Sequence, residues 1–413
     1  MEMKTPMAKT LAELIDGGVA GRRVLVRSDL NVPLKDGVVT DDGRVRASLP
    51  VLKKLTDAGA RVIVTAHLGR PKGQVDPQYS IKPAAERLAE LADFPVIIAT
   101  DLVGEDAKAK AEALKDGELL VVENVRYDAR ETSKDDAERA EFAAELAALT
   151  GENGAYVNDA FGAVHRKHAS VYDIAKELPA YLGDLVKTEV DVLQKVIKNP
   201  DRPFVVVMGG AKVSDKLAVI DNLIGKADTL LIGGGMGYTF AKAMGYEIGQ
   251  SLLEEDQIEN CKRYMEEAPK KGTELIIASD IVWSDDFSND ANTEIRPIED
   301  LTGGKLGAKA EGLDIGPATR ELFAQKIKEA KLVFWNGPVG VFEIEAFAGG
   351  TKAVADALVE SEAFSIIGGG DSASAVRNLG FSDDQFGHIS TGGGASLEYI
   401  EGKTLPGLEA LGA

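Results

Sequence analysis

Short apolar runs rich in Val, Leu and Ile recur along this chain. Between them lie stretches whose apolar positions repeat with the period of an amphipathic helix. In the first half the runs fall at residues 22–27, 60–65, 95–99, 118–123 and 155–158. The helical patterns fall at 47–58, 82–92 and 135–149, with Ser133 as the expected N-cap of the last. Runs that are apolar on both faces predict buried parallel strands, and their alternation with helices predicts a doubly wound sheet. The alternation stops over residues 172–199, which read as mostly helical and end in Asn-Pro-Asp-Arg-Pro (199–203), two prolines that punctuate a boundary. It resumes at 204–208, 229–232, 274–278, 332–335 and 364–367. The predicted fold is therefore α/β: two doubly wound, Rossmann-like parallel-sheet domains over 1–184 and 200–401, joined by a hinge helix over 185–199.

A chain of 413 residues can bury two cores. The 44 glycines show no short period, so tight strand-to-helix turns are their expected use. The net charge of −20 argues against a nucleic-acid partner, which needs a basic face. An anionic ligand would then have to be drawn in by local basic clusters, and its binding should be sensitive to salt. The single cysteine, Cys261, allows no intrachain disulfide and sits in a charged helical stretch, as a structural thiol would. No apolar run approaches a membrane span and the start of the chain lacks a long apolar core, so a cytoplasmic protein is expected.

Ligands of such sheets bind beyond the carboxyl ends of the strands, and polar residues collect there. Arg27, Asp29 and Asn31 are spaced by two, which in an extended chain puts them on one side. Together they could grip a hydroxylated, charged small molecule, or form a salt bridge and an Asx turn before Pro33. His67 and Arg70 bracket Leu68 and Gly69. Arg70 can fork two phosphate oxygens, although a capped turn is the alternative. Arg44 and Arg46 precede a helical pattern whose early turn holds Pro50. Cations there oppose the helix dipole, which suits either an anion between them or a solvated pair. Arg126 and Arg166 follow two further strands. His165 and His168 with Asp159 could suggest a metal site, but Arg166 and Lys167 would repel the cation.

The second half carries different chemistry. Gly209, Gly210, Lys212 and Lys216 form a glycine turn into a helix capped by Ser214, suited to phosphates, though not a Walker A loop. Gly368-x-Gly370-x-x-Ala373 formally matches a dinucleotide fingerprint, but Asp371 inside it would repel a pyrophosphate unless Mg²⁺ intervened. Gly392, Gly393 and Gly394 open the last helix with free amides. Glu343, after Trp335–Phe342, could hold ribose hydroxyls beside an apolar base pocket, or close an ordinary turn. Guanidinium groups in one half, and amides, lysines and a carboxylate in the other, suggest two anionic ligands with a phosphoryl group passed between them.

Eight segments carry a resemblance, in order, over nearly the whole chain. They are Arg-Ser-Asp-Leu-Asn-Val-Pro (27–33), His-Leu-Gly-Arg-Pro (67–71), Glu-Asn-Val-Arg-Tyr (123–127), Val-Asn-Asp-Ala-Phe-Gly (157–162), Gly-Gly-Ala-Lys-Val-Ser-Asp-Lys (209–216), Trp-Asn-Gly-Pro-Val-Gly-Val-Phe-Glu (335–343), Gly-Gly-Gly-Asp-Ser (368–372) and Ser-Thr-Gly-Gly-Gly-Ala-Ser-Leu-Glu (390–398). The chain strongly resembles the phosphoglycerate kinase family. The resemblance implies reversible phosphoryl transfer between 1,3-bisphosphoglycerate and ADP, giving 3-phosphoglycerate and ATP, with Mg²⁺. It implies that 3-phosphoglycerate contacts Asp29, Asn31, Arg44, His67, Arg70, Arg126 and Arg166. It places the nucleotide on Lys216, Gly312, Glu343, Gly369, Gly370, Asp371 and Ser372, and the metal on Asp371. Arg44 and Lys212, with the amides of Gly393 and Gly394, are the expected neutralisers of the moving phosphoryl group. A monomer is expected, closing about its hinge helix, with the tail 402–413 packed back on the first domain. Two segments depart from the family pattern: Ser28 stands where an apolar residue is usual, and residues 181–189 drift near the hinge. A dehydrogenase using the 368–373 fingerprint would need an acidic residue some 20 positions on, where Ser-Thr-Gly-Gly-Gly stands instead. A sensing or adhesion role on a retired kinase fold would predict lost site residues, and none of the matched ones is lost.

Overall fold

The computed structural model of the chain describes residues 7–413. The first residues of the stretch read above as lacking an apolar leader lie outside them. The chain divides into two compact units, one running to Val190 and taking back Thr404–Ala413, the other spanning Asp191–Lys403. Among the described residues no helix is long and apolar enough to cross a membrane.

In the first unit the strands are β1 (Arg23–Arg27), the small hairpin β2 (Leu34–Lys35) and β3 (Val38–Val39), β4 (Arg61–Thr65), β5 (Val96–Ile98), β6 (Leu119–Val121), β7 (Ala155–Asn158) and β8 (Ala180–Leu182). Six of them form a parallel sheet in the order β5-β6-β4-β1-β7-β8. Central β1 pairs Val24 with Val62 on one side and with Ala155 on the other. Val24, Val26, Val62 and Val64 are wholly buried in one core with Leu52, Leu55 and Leu88 from the covering helices. The tail joins this unit: Leu405, Leu408 and Leu411 are buried, and the Gly407 amide donates to the Val164 carbonyl at 2.8 Å. A Cβ at Gly407 would stand 2.8 Å from the Val164 Cα, so the contact depends on glycine.

Two local expectations need correction here. The helix expected to begin after Arg46 spans Gly43–Asp57, so both arginines lie in its first turn and Pro50 lies mid-helix. Its apolar stripe starts at buried Val45, two residues before the stretch read as helical. The helix Asp136–Ala148 is capped by Asp135, whose carboxylate accepts from the Ala137 amide at 2.8 Å. Ser133 instead accepts from the Asp135 amide and donates to Glu138. Residues 172–199 are mostly helical, as expected: a π turn (Ala169–Asp173) runs into a short helix (Ile174–Glu177), and edge strand β8 separates these from the helix Asp184–Ile197. β8 reads Ala-Tyr-Leu, carries no run of branched apolar residues, and is held by backbone pairing with β7.

The second unit contains β9 (Phe204–Met208), β10 (Thr229–Ile232), β11 (Glu274–Ile277), β12 (Asp280–Ser284), β13 (Thr293–Pro297), β14 (Glu311–Ile315), β15 (Leu332–Asn336), β16 (Phe364–Gly368) and β17 (His388–Ile389). Its parallel sheet runs β11-β10-β9-β15-β16-β17, and an antiparallel sheet, β13-β12-β14, lies beside it. The chain is thus α/β with two six-stranded parallel sheets. The three-stranded sheet was not foreseen, because β13 alternates exposed and half-buried positions and carries no apolar run. It anchors the core through buried Trp283, whose indole N–H donates to the Gly307 carbonyl at 3.0 Å. Cys261 is buried, and burial pushes its thiol up to about 12.

Candidate active site

In the first unit the residues after β1 and β4 fold onto each other. The Asp29 carboxylate accepts from the Asn31 amide at 3.1 Å, closing an Asx turn. The Asn31 side-chain oxygen accepts from the Gly69 amide at 3.0 Å. Arg44 Nη1 donates to the Asn31 carbonyl at 2.6 Å and lies 3.5 Å from Asp29 Oδ1. Arg126 Nη1 donates to the Gly69 carbonyl at 3.0 Å. Gly69 has φ +59°, and a Cβ there would enter the Tyr79 ring at 2.5 Å, so this crossing admits only glycine. Asp29, Asn31, Arg44 and Arg126 are thereby tied around one glycine.

Arg27 does not share their side. It is fully buried and donates to Ser170 Oγ, to the Ser28 carbonyl and to His67 Nδ1. The extended chain ends at Arg27, and the Asx turn at Asp29 breaks the two-residue period. Ser28, the departure from the family pattern, is buried with its hydroxyl unpartnered among the described residues, a position that an apolar side chain would suit.

The cluster holds more guanidinium groups than its carboxylates, Asp29 and Glu131, can balance. Burial pulls Arg126 down to about 10, and Arg27, Arg70 and Arg166 push the same way against Glu131. Burial, then Arg27 and Arg126, hold His67 well below the usual histidine range. His168 falls to about 3 through burial and the charges of Arg126, Arg27 and Arg166. Arg70 and Arg166 are exposed. Arg126 Nε and His168 Nδ1 are buried without a hydrogen-bond partner among the described residues. All seven residues expected on one ligand therefore belong to this unit, and His67, Arg70, Arg126 and Arg166 are coupled through their charges. His168 belongs with them and was weighed only as a metal ligand. The arginines near it in sequence already favoured an anion.

The Asp159 carboxylate accepts from the Leu185 amide at 2.9 Å. Burial pushes its carboxyl up to about 8, with the Leu185 amide opposing. The folded chain therefore keeps a proton that the unfolded chain has lost, and this contribution is present below the ordinary carboxylate value and disappears as pH rises through about 8. Asp159→Asn, which keeps the acceptor without the charge, should be more stable than the parent in alkaline solution. The gap should widen between pH 4 and 8, as read by chemical denaturation at several pH values. A gap independent of pH would contradict this.

In the second unit, strand ends β9, β10, β14 and β15 surround a cavity of about 230 Å³. Gly210, Gly234 and Gly235 form one wall with Pro338 and Gly340. Leu252, Phe287, Leu313 and Val341 supply apolar surface, and Gly312, Glu343 and Asp371 line it as well. Leu252 and Phe287 are more than half exposed. A Cβ at Gly312 would meet the Tyr238 hydroxyl at 2.2 Å, and one at Gly209 would strike the Pro338 carbonyl at 2.1 Å. Lys216, Gly369, Gly370 and Ser372 do not line this cavity. Lys216 Nζ bonds Asn336 Oδ1, and the Asn336 amide donates to the Gly368 carbonyl at 2.8 Å. Burial holds Lys216 below the usual lysine range against the pull of Asp215 and Asp371. Ser372 is buried, its hydroxyl accepting from the Gly337 amide at 2.7 Å. Gly369 turns at φ +94°, with Gly370 and Asp371 exposed at the start of the helix Gly370–Asn378.

Lys212 is exposed, and so are Gly393 (φ +52°) and Gly394, where the helix Gly394–Ile400 begins. That helix is followed by another, Pro406–Leu411, so it is not the last. Ser214 caps no helix: it sits in the turn Val213–Asp215 and bonds Glu254 through its amide and its hydroxyl. Gly233–Gly235 and Tyr238 were missed. Their signal was present, since three glycines follow the apolar run 229–232 directly, as Gly209 and Gly210 follow 204–208.

The family model for phosphoglycerate kinase matches residues 14–403. The phosphoglycerate kinase of Arthrobacter sp. (strain FB24) is 65% identical over 402 residues, which cover 97% of this chain and 98% of that protein. The structure of phosphoglycerate kinase from Coxiella burnetii superposes with a TM-score of 0.86 at 36% identity, covering 95% of this chain and 97% of the other. That from Pyrococcus horikoshii OT3 gives 0.78 at 30% identity, covering 96% and 98%.

Proposed function

The chain belongs to the phosphoglycerate kinase family, and from that premise we propose that each unit holds one of the two substrates of its reaction. The protein is a phosphotransferase with a carboxyl acceptor, moving a phosphoryl group between 1,3-bisphosphoglycerate and ADP. 3-Phosphoglycerate is assigned to Asp29, Asn31, Arg44, His67, Arg70, Arg126 and Arg166. One observation carries this: in a chain of net charge −20, five guanidinium groups gather beside two carboxylates, Asp29 and Glu131, which leaves positive charge in excess, and Arg126 Nε is buried with no acceptor among the described residues.

The nucleotide is assigned to the cavity of the second unit and the turns beside it. Leu252, Phe287 and Val341 offer an apolar wall for the base, Glu343 a carboxylate for the ribose, and the amides around Gly369 and Gly370, with Ser372 and Lys216, a cradle for phosphates. Asp371 is exposed at the cavity and makes no salt bridge among the described residues. A lone carboxylate beside a phosphate cradle fits Mg²⁺, which takes one or two carboxylates plus phosphate oxygens. Bound there, the ion would neutralise phosphate charge. Arg44, Lys212 and the amides of Gly393 and Gly394 are assigned to the oxygens of the transferred group. A carboxylate is nucleophilic at neutral pH without a base, so no general base is assigned. The protein is read as a monomer, which sedimentation would check.

The deciding assay is ATP-dependent phosphorylation of 3-phosphoglycerate with Mg²⁺ and with EDTA. Turnover should require Mg²⁺ and be lost in Lys216→Ala. Absence of turnover in folded, ligand-binding protein would refute the assignment. Gly312→Ala should weaken nucleotide binding by about tenfold or more, because its Cβ must displace the Tyr238 ring at the cavity. 3-Phosphoglycerate affinity should be unchanged, and titration calorimetry with each ligand checks both.

A further inference from the structure

A buried hydrogen-bond chain reaches His67 from residues to which phosphoryl transfer assigns no role. Glu131 is wholly buried in the turn Ala129–Thr132. Its two carboxylate oxygens accept from the Ser170 amide at 2.7 Å and from the Ser170 hydroxyl at 2.6 Å. Ser170 Oγ in turn accepts from Arg27 Nε at 2.9 Å, and Arg27 Nη2 lies 2.9 Å from His67 Nδ1. The Ser170 carbonyl is held by the Tyr156 hydroxyl at 2.8 Å.

The two donor directions nearest His67 are fixed by Arg27. A guanidinium has only N–H groups, so Arg27 must donate at both contacts. Ser170 Oγ already accepts from Arg27, and its one proton goes to Glu131. His67 Nδ1 must accept, because a proton there would face the Arg27 N–H. The neutral ring then carries its proton on Nε2. We propose that Glu131 and Ser170 are positioning residues: acting through Arg27, they fix His67 as the Nε2–H tautomer, a neutral donor for an anionic oxygen of the substrate. The doubly protonated ring is disfavoured by burial and by the charges of Arg27, Arg126 and Arg44. A neutral donor suits a cluster where a further cation would add repulsion. The proposal rests on the assignment of His67 to 3-phosphoglycerate.

The test is nitrogen-15 NMR of the imidazole rings. The chain has four histidines, and loss of signals in His67→Gln assigns the ring. The expected spectrum shows Nδ1 unprotonated and Nε2 protonated. Ser170→Ala should give mixed tautomers and raise KM for 3-phosphoglycerate roughly tenfold. KM for ATP should hold, and Ser170→Thr should restore both readouts. A proton on Nδ1 in the parent protein overturns the proposal without any variant. A Ser170→Ala protein with the parental tautomer and KM overturns it too. If 3-phosphoglycerate left the His67 ring shifts of the parent unchanged, the substrate assignment would fail, while the ligand-free spectrum would still decide the tautomer.

Discussion

Arg44→Ala is expected to lower turnover about a hundredfold, equivalent to roughly 3 kcal/mol in the barrier, with a much smaller change in KM for 3-phosphoglycerate. Arg44 is half exposed, and Nη1 is its one nitrogen bonded among the described residues, to the Asn31 carbonyl beside Asp29. The remaining N–H groups are available to a ligand. If they stabilise charge that develops only during transfer, kcat falls and KM holds. If Arg44 served only to brace Asn31, its loss would disturb the Asn31–Gly69 link and appear in KM. Arg44→Lys keeps the charge and loses the fork, so it should recover turnover only in part. Steady-state kinetics with both substrates varied separates these outcomes, and near-parental kcat in Arg44→Ala would remove the assigned role.

Asp173→Ala should destabilise the first unit by about 3–5 kcal/mol. Arg139 Nε donates to the Asp173 carboxylate at 2.9 Å, and the two side chains are only 2% and 4% exposed. Arg139 also donates to the Ser133 carbonyl at 2.9 Å and contacts exposed Asp136, but neither replaces a buried carboxylate. The loss would leave a charge in the interior without its compensating partner. Replacing both residues by apolar ones of similar volume should recover much of the stability, because the cost comes from the uncompensated charge. Both tryptophans lie in the second unit, so the effect is best read from hydrogen exchange of the β1 amides. Unchanged protection there would contradict the expectation.

Central strands were legible because they are buried on both faces. β7, β9 and β10 coincide with the apolar runs at 155–158, 204–208 and 229–232. β8 (Ala-Tyr-Leu) and β17 (His-Ile) were not, since neither carries the Val-, Ile- or Leu-rich run that marks the comparably short β5 and β6, and both are defined by backbone pairing with a neighbour. The site followed the same division. Gly209, Gly210, Gly369 and Asp371 could be marked out because glycine and a lone carboxylate after an apolar run have few other uses.

By itself, the sequence determined the alternation of strands and helices, the concentration of cations in one half and of glycine turns in the other, and family membership. These depend on residue type and local order. Only the tertiary structure decided that Arg27 is buried under the cluster, that His168 joins it, and that the Tyr238 ring packs directly against Gly312 at the cavity. Arg27 meets His67 across 40 residues and Ser170 across 143, so these contacts arise from how β1, β4 and the turn after β7 stack. No local period encodes which side chains a fold brings within hydrogen-bond reach.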